Sequence, residues 1–227
     1  MPTEWFRQEF WGAAVEEAFE KRLRRSRNKE QHLRIQAGHL LKTAPDVSLK
    51  LINRTLAMNE PIWRSTGLVV KAEAERRLNR PRESLETLVS AIDHERLNRT
   101  VRSGAALIFA KRVALERATA FYGKAEEALT EDSSAGSVFP AERYEWHGAR
   151  AIIFADTGRR NEAVAEARLA LDAASGKASG SWKHPKLGLV GGTVDGFGRR
   201  IRAIASPRLS LVSGMLAALG QRGRPLA

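Results

Sequence analysis

The chain has 227 residues, no cysteine and a formal net charge of +12. Hydrophobic residues make up 43% of it, which excludes wholesale disorder, and the lack of cysteine excludes disulfide frameworks and thiolate metal sites. The first twenty residues carry five glutamates instead of the basic start and apolar run of a secretory signal. The uncharged run Leu209–Gln221 is too short to cross a bilayer. We therefore expect a cytoplasmic protein with no transmembrane segment.

Apolar residues recur at helical spacing along most of the chain, and alternation with period two is nearly absent. This spacing predicts a first helix from Glu4 to Arg27 and a second from Glu30 to Thr43. The sequence "APDVS" breaks the pattern before a third helix that runs to Met58. A fourth helix begins at Pro61, and a fifth follows "NRPRES".

The second half of the chain continues the helical pattern. Residues 100–130 predict one long helix or two, with Gly123 as the candidate break, and "EDSSAGSVFP" predicts a loop. Two apolar stripes near the C-terminus predict two short amphipathic helices. Their apolar positions are Val194, Phe197, Ile201 and Ile204 in the first, and Leu209, Val212, Leu216 and Leu219 in the second. Neither helix is long enough to be stable alone in water, so each needs a surface to cover. That surface is the last hairpin, a second copy of the protein or an anionic membrane, and the apolar area to be buried favours docking on protein.

The stretch "YEWHGARAIIFADTGRRNEAVAEARLALDAA", residues 144–174, predicts a tight helical hairpin. It places small residues at regular intervals around an aromatic residue and a glycine: Ala151, Phe154, Gly158, Ala163, Ala167 and Ala170. This pattern resembles a tetratricopeptide repeat, whose period is about 34 residues. Weaker copies begin at Ala37 and Ala72, which are 35 residues apart. The resemblance covers residues 30–175 and implies an all-α fold of antiparallel hairpins stacked as a short array; the alternative is a generic helical bundle.

Composition changes sharply near Ser175. From Ala173 to the end the chain has nine basic residues and one acidic residue, Asp195, together with 10 of its 18 glycines. We therefore predict a helical-repeat domain over residues 1–175, and a basic, glycine-rich tail with short amphipathic helices over residues 176–227.

The array arrangement predicts where a partner would bind, because the first helix of each pair lines a concave surface. The candidate partner-binding residues are Lys42, Arg76, Arg77, Ile152 and Asp156. They lack the lysine and asparagine set that resembles a repeat clamping a C-terminal carboxylate. The predicted function is a non-catalytic adaptor or scaffold, with no cofactor and no metal, that binds a protein partner or a second copy of itself.

Two basic clusters suggest nucleic-acid binding as the alternative function. The stretch "KRLRRSRNK", residues 21–29, has six basic residues in nine, and the second cluster covers residues 199–208. Clustered lysine and arginine side chains release counterions from nucleic acid when they contact its phosphates. The candidate anion contacts are Arg22, Arg24, Arg25, Arg199, Arg200 and Arg202. The simpler interpretation is a solvated charged surface.

The stretch "RNKEQH", Arg27–His32, raises a catalytic alternative. This stretch consists of an arginine, a polar residue, three further residues and a histidine, and it resembles the signature of HEPN-type ribonucleases. The resemblance implies that Arg27 and His32 handle a scissile phosphate. The opposing interpretation is a solvated turn. The five histidines are otherwise scattered, and "GLVGGTVDGFGRR" lacks the pattern of a phosphate-binding loop.

Overall fold

The computed structural model describes residues 4–58, 60–98, 100, 102–192 and 195–206. Within these residues the chain forms ten α-helices and no β-strand, which confirms the predicted all-α class. The helices are α1 (Ala13–Arg25), α2 (Lys29–Leu40), α3 (Pro45–Ala57), α4 (Pro61–Arg77), α5 (Pro81–Leu97), α6 (Ala105–Glu116), α7 (Tyr122–Glu131), α8 (Pro140–Asp156), α9 (Arg160–Ser175) and α10 (Gly196–Ala205). In the part of the chain described, none of them has the length and apolar character needed to cross a bilayer.

The chain divides into two compact units, residues 1–109 and 110–227. In the first unit, α2 packs on α3 and α4, and α4 packs on α5. In the second unit, α8 packs on α9, and α10 packs on both of them. The predicted boundary near Ser175 therefore lies inside the second unit, and the second predicted tail helix, Leu209–Leu219, lies outside the described residues.

The segment before α1 is not helical, although its spacing predicts a helix from Glu4. The helix begins at Ala13, and the residues before it pack on α1 and α2 in an irregular conformation. The buried amide of Gln36 holds this segment: Gln8 N–H donates to Gln36 Oε1 at 2.9 Å, and Gln36 Nε2 donates to the Gln8 carbonyl at 2.8 Å. These two bonds satisfy backbone groups that a helix would otherwise satisfy, so a long-range contact overrides the local pattern.

Three helix-to-helix turns within the described residues have the same geometry. Each has a residue in the left-handed region, at Asn79 (φ 59°), Arg117 (φ 52°) and Gly158 (φ 83°). In each turn, the backbone N–H of the following residue donates to the carbonyl five residues before it. These hydrogen bonds are Arg80 to Glu75 (2.9 Å), Ala118 to Val113 (3.1 Å) and Arg159 to Phe154 (2.8 Å). This left-handed closure ends a helix and reverses the chain. Each turn lies seven residues after a buried alanine: Ala72, Ala110 or Ala151.

Two hairpins of the first unit share a second feature, a buried hydroxyl that links the two helices. Ser48 of α3 donates to the Ala37 carbonyl at 2.7 Å, and Ser84 of α5 donates to the Ala72 carbonyl at 2.6 Å. A side chain this short lets the two helix backbones approach closely. Ala37 is therefore the structural counterpart of Ala72.

The break between α6 and α7 lies at Arg117 and the short 3₁₀ turn Thr119–Phe121, so the predicted break at Gly123 is wrong. Gly123 is an exposed residue of α7. A glycine is the usual signal for a left-handed helix end, and here an arginine adopts that conformation. The α6–α7 hairpin is for this reason the one whose turn the sequence pattern placed wrongly.

Candidate functional site

The first unit has an open groove between α2 and α4, the first helices of two successive hairpins. It contains a cleft of about 280 Å3 lined by Arg34, Ile35, Gly38, His39 and Val70. A Cβ atom placed on Gly38 would have no other atom within 4 Å, so the glycine leaves room for a side chain from outside. The groove thus has an apolar floor and a vacant position at its centre.

The rim of the groove is held by ion pairs. Arg34 Nε lies 3.4 Å from Glu30 Oε1, and the Arg34 guanidinium stacks over Trp63 at 4.3 Å from the ring centre. Burial raises the pKa of Glu30 above its ordinary value, and the charge of Arg34 opposes this shift. The Arg34 side chain is therefore fixed at one edge of the cleft by a carboxylate and an aromatic ring.

The far end of the groove carries excess positive charge. Arg76 and Arg77, in the last turn of α4, both donate to the single carboxylate of Glu73, with Nη2–Oε1 and Nε–Oε1 distances of 2.7 Å. Lys42 lies in the turn after α2 and is exposed. Arg76 and Arg77 share the carboxylate of Glu73 here, so the end of the groove that carries Arg77 favours a negatively charged ligand.

The five predicted partner-binding residues occupy different environments. Lys42, Arg76 and Arg77 are exposed in the first unit. Ile152 is fully buried in the core of the second unit, so its side chain is not part of an accessible surface. Asp156 is engaged within the chain and accepts hydrogen bonds from Tyr122 and Arg200.

Helix α10 covers α8 in the second unit. Its Phe197 and Ile201 are buried, and they lie so close to Gly148 that a Cβ atom there would be 2.7 Å from Phe197 Cζ and 2.6 Å from Ile201 Cδ1. Tyr144 packs edge-on against Phe197 with ring centres 5.6 Å apart, and burial raises the pKa of its hydroxyl to about 12. Gly148 is thus the point of closest approach between α8 and α10.

Asp156 at the end of α8 ties α10 down. Arg200 of α10 donates from Nη2 to Asp156 Oδ2 at 2.9 Å and from Nη1 to the Ala114 carbonyl at 2.6 Å. The Tyr122 hydroxyl donates to the same Asp156 oxygen at 2.7 Å, and burial together with this bond raises the pKa of Tyr122 to about 12. Arg117 Nε lies 3.6 Å away. Two cations and a phenol thus share one carboxylate.

The candidate anion contacts divide into two groups. The six basic side chains of residues 21–29 are all exposed, and none forms an ion pair with a residue that the structure describes. Three of them, Arg22, Arg24 and Arg25, belong to the last turn of α1, where the helix dipole favours positive charge. In α10, Arg199 is exposed, whereas Arg200 is engaged by Asp156, and Arg202 also has an interaction partner.

His32 has a packing environment instead of a catalytic one. Its ring lies between Trp5 and Phe6, with ring-centre distances of 4.7 and 4.4 Å, and its Nδ1 is 2.9 Å from Ser26 Oγ. Burial lowers its pKa below the ordinary 6.5, against the opposing charge of Glu4. These contacts attach the segment before α1 to α2. Arg27, the other residue of the suggested ribonuclease signature, is exposed.

We expect His32 to make the protein less stable in mild acid. Its pKa is lower in the folded chain, so protonation favours the unfolded state. The contribution of the neutral ring to stability is complete above pH 6.5 and is lost as the pH falls from there through the lower pKa of the folded chain. Urea unfolding between pH 7.5 and 5 measures this. His32→Phe keeps a ring between Trp5 and Phe6 but cannot be protonated. An identical pH dependence for the two proteins would contradict the assignment.

No group of three histidine, aspartate or glutamate residues lies close enough to hold a metal ion in the described ranges. Comparisons with protein-family models, with curated proteins and with solved structures give no match. The inference of function therefore depends on the geometry of the groove and of α10.

Proposed function

We propose that this protein is a non-catalytic helical-repeat adaptor that binds a protein partner through the groove between α2 and α4. The observation that carries the proposal is the cleft at Gly38, which has an apolar floor, an open central position and an excess of positive charge at the end marked by Arg77. Shape and charge of this kind favour a partner with an apolar side chain beside an acidic one.

The tetratricopeptide-like arrangement is part of the proposal. It is supported by the three turns of equal geometry and by the serine bonds that make Ala37 the counterpart of Ala72. In such an array each first helix contributes to a continuous surface. Residues of α2 and α4 line the same cleft, as this arrangement requires.

Filling the cleft tests the adaptor function. We expect Gly38→Leu to place an isobutyl group in the cleft and to abolish capture of the natural partner, since a Cβ atom at this position meets no neighbouring side chain within 4 Å. The measurement is affinity capture with quantitative mass spectrometry, in lysate of the source organism. Gly123→Leu is the matched control, because Gly123 is also a helical glycine with nothing within 4 Å of a Cβ atom, and it is exposed on α7, outside the cleft lining. Equal capture by all three proteins would exclude the groove as the binding site.

Nucleic-acid binding is a second candidate, favoured by the six exposed basic side chains of residues 21–29 that lack an acidic partner among the described residues. If they contact phosphates, affinity for a labelled oligonucleotide falls steeply as salt rises from about 50 to 200 mM. Replacing Arg22, Arg24 and Arg25 with glutamate is then expected to make the slope of log K against log salt less steep. On a duplex the slope changes by about 0.9 for each phosphate contact that is lost. Binding that is insensitive to salt would exclude this candidate.

A further inference from the structure

Helix α10 packs on both helices of the α8–α9 hairpin and also reaches residues 110–116 of α6, the part of that helix in the second unit. Its site therefore includes side chains from the first helices of two successive hairpins, α6 and α8, as the groove of the first unit does with α2 and α4. α10 contacts α6 through Ala114, whose carbonyl accepts from Arg200, and through Lys111, whose Nζ lies 5.2 Å from the centre of the Phe197 ring. It contacts α8 at Gly148 and Asp156. The second unit therefore contains an example of what this kind of surface binds, a short amphipathic helix.

The buried alanines that precede the turns give the correspondence residue by residue. Counted from Ala110 and Ala37, Lys111 on α6 corresponds to Gly38 on α2, because each follows its alanine by one position. Counted from Ala151 and Ala72, Gly148 on α8 corresponds to Val69 on α4, three positions before the alanine. By the same count Asp156 corresponds to Arg77, five positions after it.

The space for apolar side chains is displaced between the two surfaces. In the second unit the room is at Gly148 on α8, and Phe197 and Ile201 fill it. In the first unit the position counted from Ala72 holds Val69, a larger residue than glycine, and the room is at Gly38 on α2, where Lys111 stands in the second unit. A helix bound in the first groove therefore places its largest apolar side chain against α2 instead of α4.

The charge is inverted between the two surfaces. Arg200 of α10 meets the carboxylate of Asp156, but at the corresponding position the first groove has the guanidinium of Arg77. A helix with a basic residue at the place of Arg200 is repelled there, and one with a carboxylate is attracted. The exposed Lys42, in the turn after α2, adds a second positive charge.

We propose that the groove between α2 and α4 binds an acidic amphipathic helix of a partner protein. The helix places an aromatic or large aliphatic side chain in the cleft at Gly38, a second apolar side chain one turn later against Val70, and a carboxylate on Arg77. This inference rests on the proposed adaptor function and specifies the class of its partner. The chain's own C-terminal segments do not fit, since α10 carries three arginines, and residues 207–227 contain three arginines and no acidic residue.

Peptides derived from α10 test the charge and the anchors separately. The acidic probe is residues 195–206 with Arg199, Arg200 and Arg202 each replaced by glutamate, stapled to hold it helical because a peptide this short is not helical in water. The basic probe is the natural sequence with the same staple. A third probe is the acidic peptide with Phe197 and Ile201 replaced by serine. Binding of each labelled peptide to the full chain is followed by fluorescence anisotropy.

We expect the acidic probe to bind at least tenfold more tightly than the basic probe and the serine probe. On the protein, Gly38→Leu should weaken the acidic probe tenfold or more, Gly123→Leu should leave it unchanged, and Arg77→Glu should reverse the preference between acidic and basic probes. Acidic binding that persists in Gly38→Leu would mean that the peptide binds elsewhere on the surface and would overturn the inference. Equal binding of the acidic and serine probes would mean charge attraction without apolar anchors and would overturn it as well.

Two further outcomes identify other occupants. If the basic probe binds more tightly than the acidic probe and this binding is lost in Gly38→Leu, the groove is assigned to α10 of a second copy. If a peptide of residues 207–227 binds more tightly than the acidic probe, the groove is assigned to the chain's own terminus. Either result overturns the acidic helix. If no peptide binds while Gly38→Leu still abolishes capture of a protein partner, the adaptor function stands and the helical partner is wrong.

Discussion

Replacing Gly148 with leucine is expected to release α10 from the second unit. A single Cβ atom at this position already lies within 2.8 Å of atoms from both Phe197 and Ile201, and a leucine adds three more carbons at the same point. Both neighbours are buried, so they have no free space into which to move. Because leucine favours a helix more than glycine does, the loss comes from packing alone.

The expected cost is about 3 kcal/mol, since overpacking costs about 1 to 3 kcal/mol and undocking exposes two apolar side chains worth about 1.5 to 3 kcal/mol each. Hydrogen exchange of the α10 amides measures it, with an acceleration of roughly 100-fold for that free energy. Trypsin provides a second measurement, because a released α10 exposes Arg199, Arg200 and Arg202 to cleavage. Gly123→Leu is again the control, and unchanged protection of α10 in Gly148→Leu would contradict the close packing.

The all-α class, the turn at Gly158 and the turn at Asn79 within "NRPRES" were predictable because their signals are local. Helical spacing and the lack of period-two alternation indicate helices without any knowledge of the tertiary structure. Gly158 marks the α8–α9 turn, since glycine adopts a positive φ without steric cost. The equivalent turn at Arg117 has no such marker, and its left-handed arginine is stabilised by the hydrogen bonds of the completed hairpin.

Contacts between distant residues account for what the sequence did not predict. The segment before α1 has helical spacing, but Gln36, 28 residues after Gln8, bonds its backbone in another conformation. Asp156 has a position suited to partner binding when its own hairpin is considered alone. Its actual partner, Arg200, is 44 residues away, on a helix whose docking surface no local pattern reveals. Spacing predicted the apolar stripe of α10, and tertiary packing decides what the stripe covers.

Reversing the charge of Asp156 is expected to release α10 by a different route. Asp156→Arg places a third guanidinium next to Arg200 and Arg117 and removes the acceptor of the Tyr122 hydroxyl. Its side chain is 18% exposed and that of Arg200 is 26% exposed, so solvent screens the repulsion only in part. We expect the free energy of unfolding of α10 from the unit to fall by about 2 to 3 kcal/mol, which is at the lower end of the cost of breaking a buried ion pair. Asp172→Arg, the same charge change at an exposed position of α9, should change stability by less than about 0.5 kcal/mol.

The compensating change in α10 isolates the ion pair from other effects. Combining Asp156→Arg with Arg200→Glu restores opposite charges, and we expect a coupling free energy of about 1 to 2 kcal/mol from the double-mutant cycle. Recovery should be incomplete, because a glutamate cannot donate to the Ala114 carbonyl as Arg200 does. The measurement is hydrogen exchange of α10 in the wild type, both single variants and the double variant. Strictly additive effects would mean that Asp156 and Arg200 do not hold α10 as a pair, and that charge at this position does not select the helix that binds.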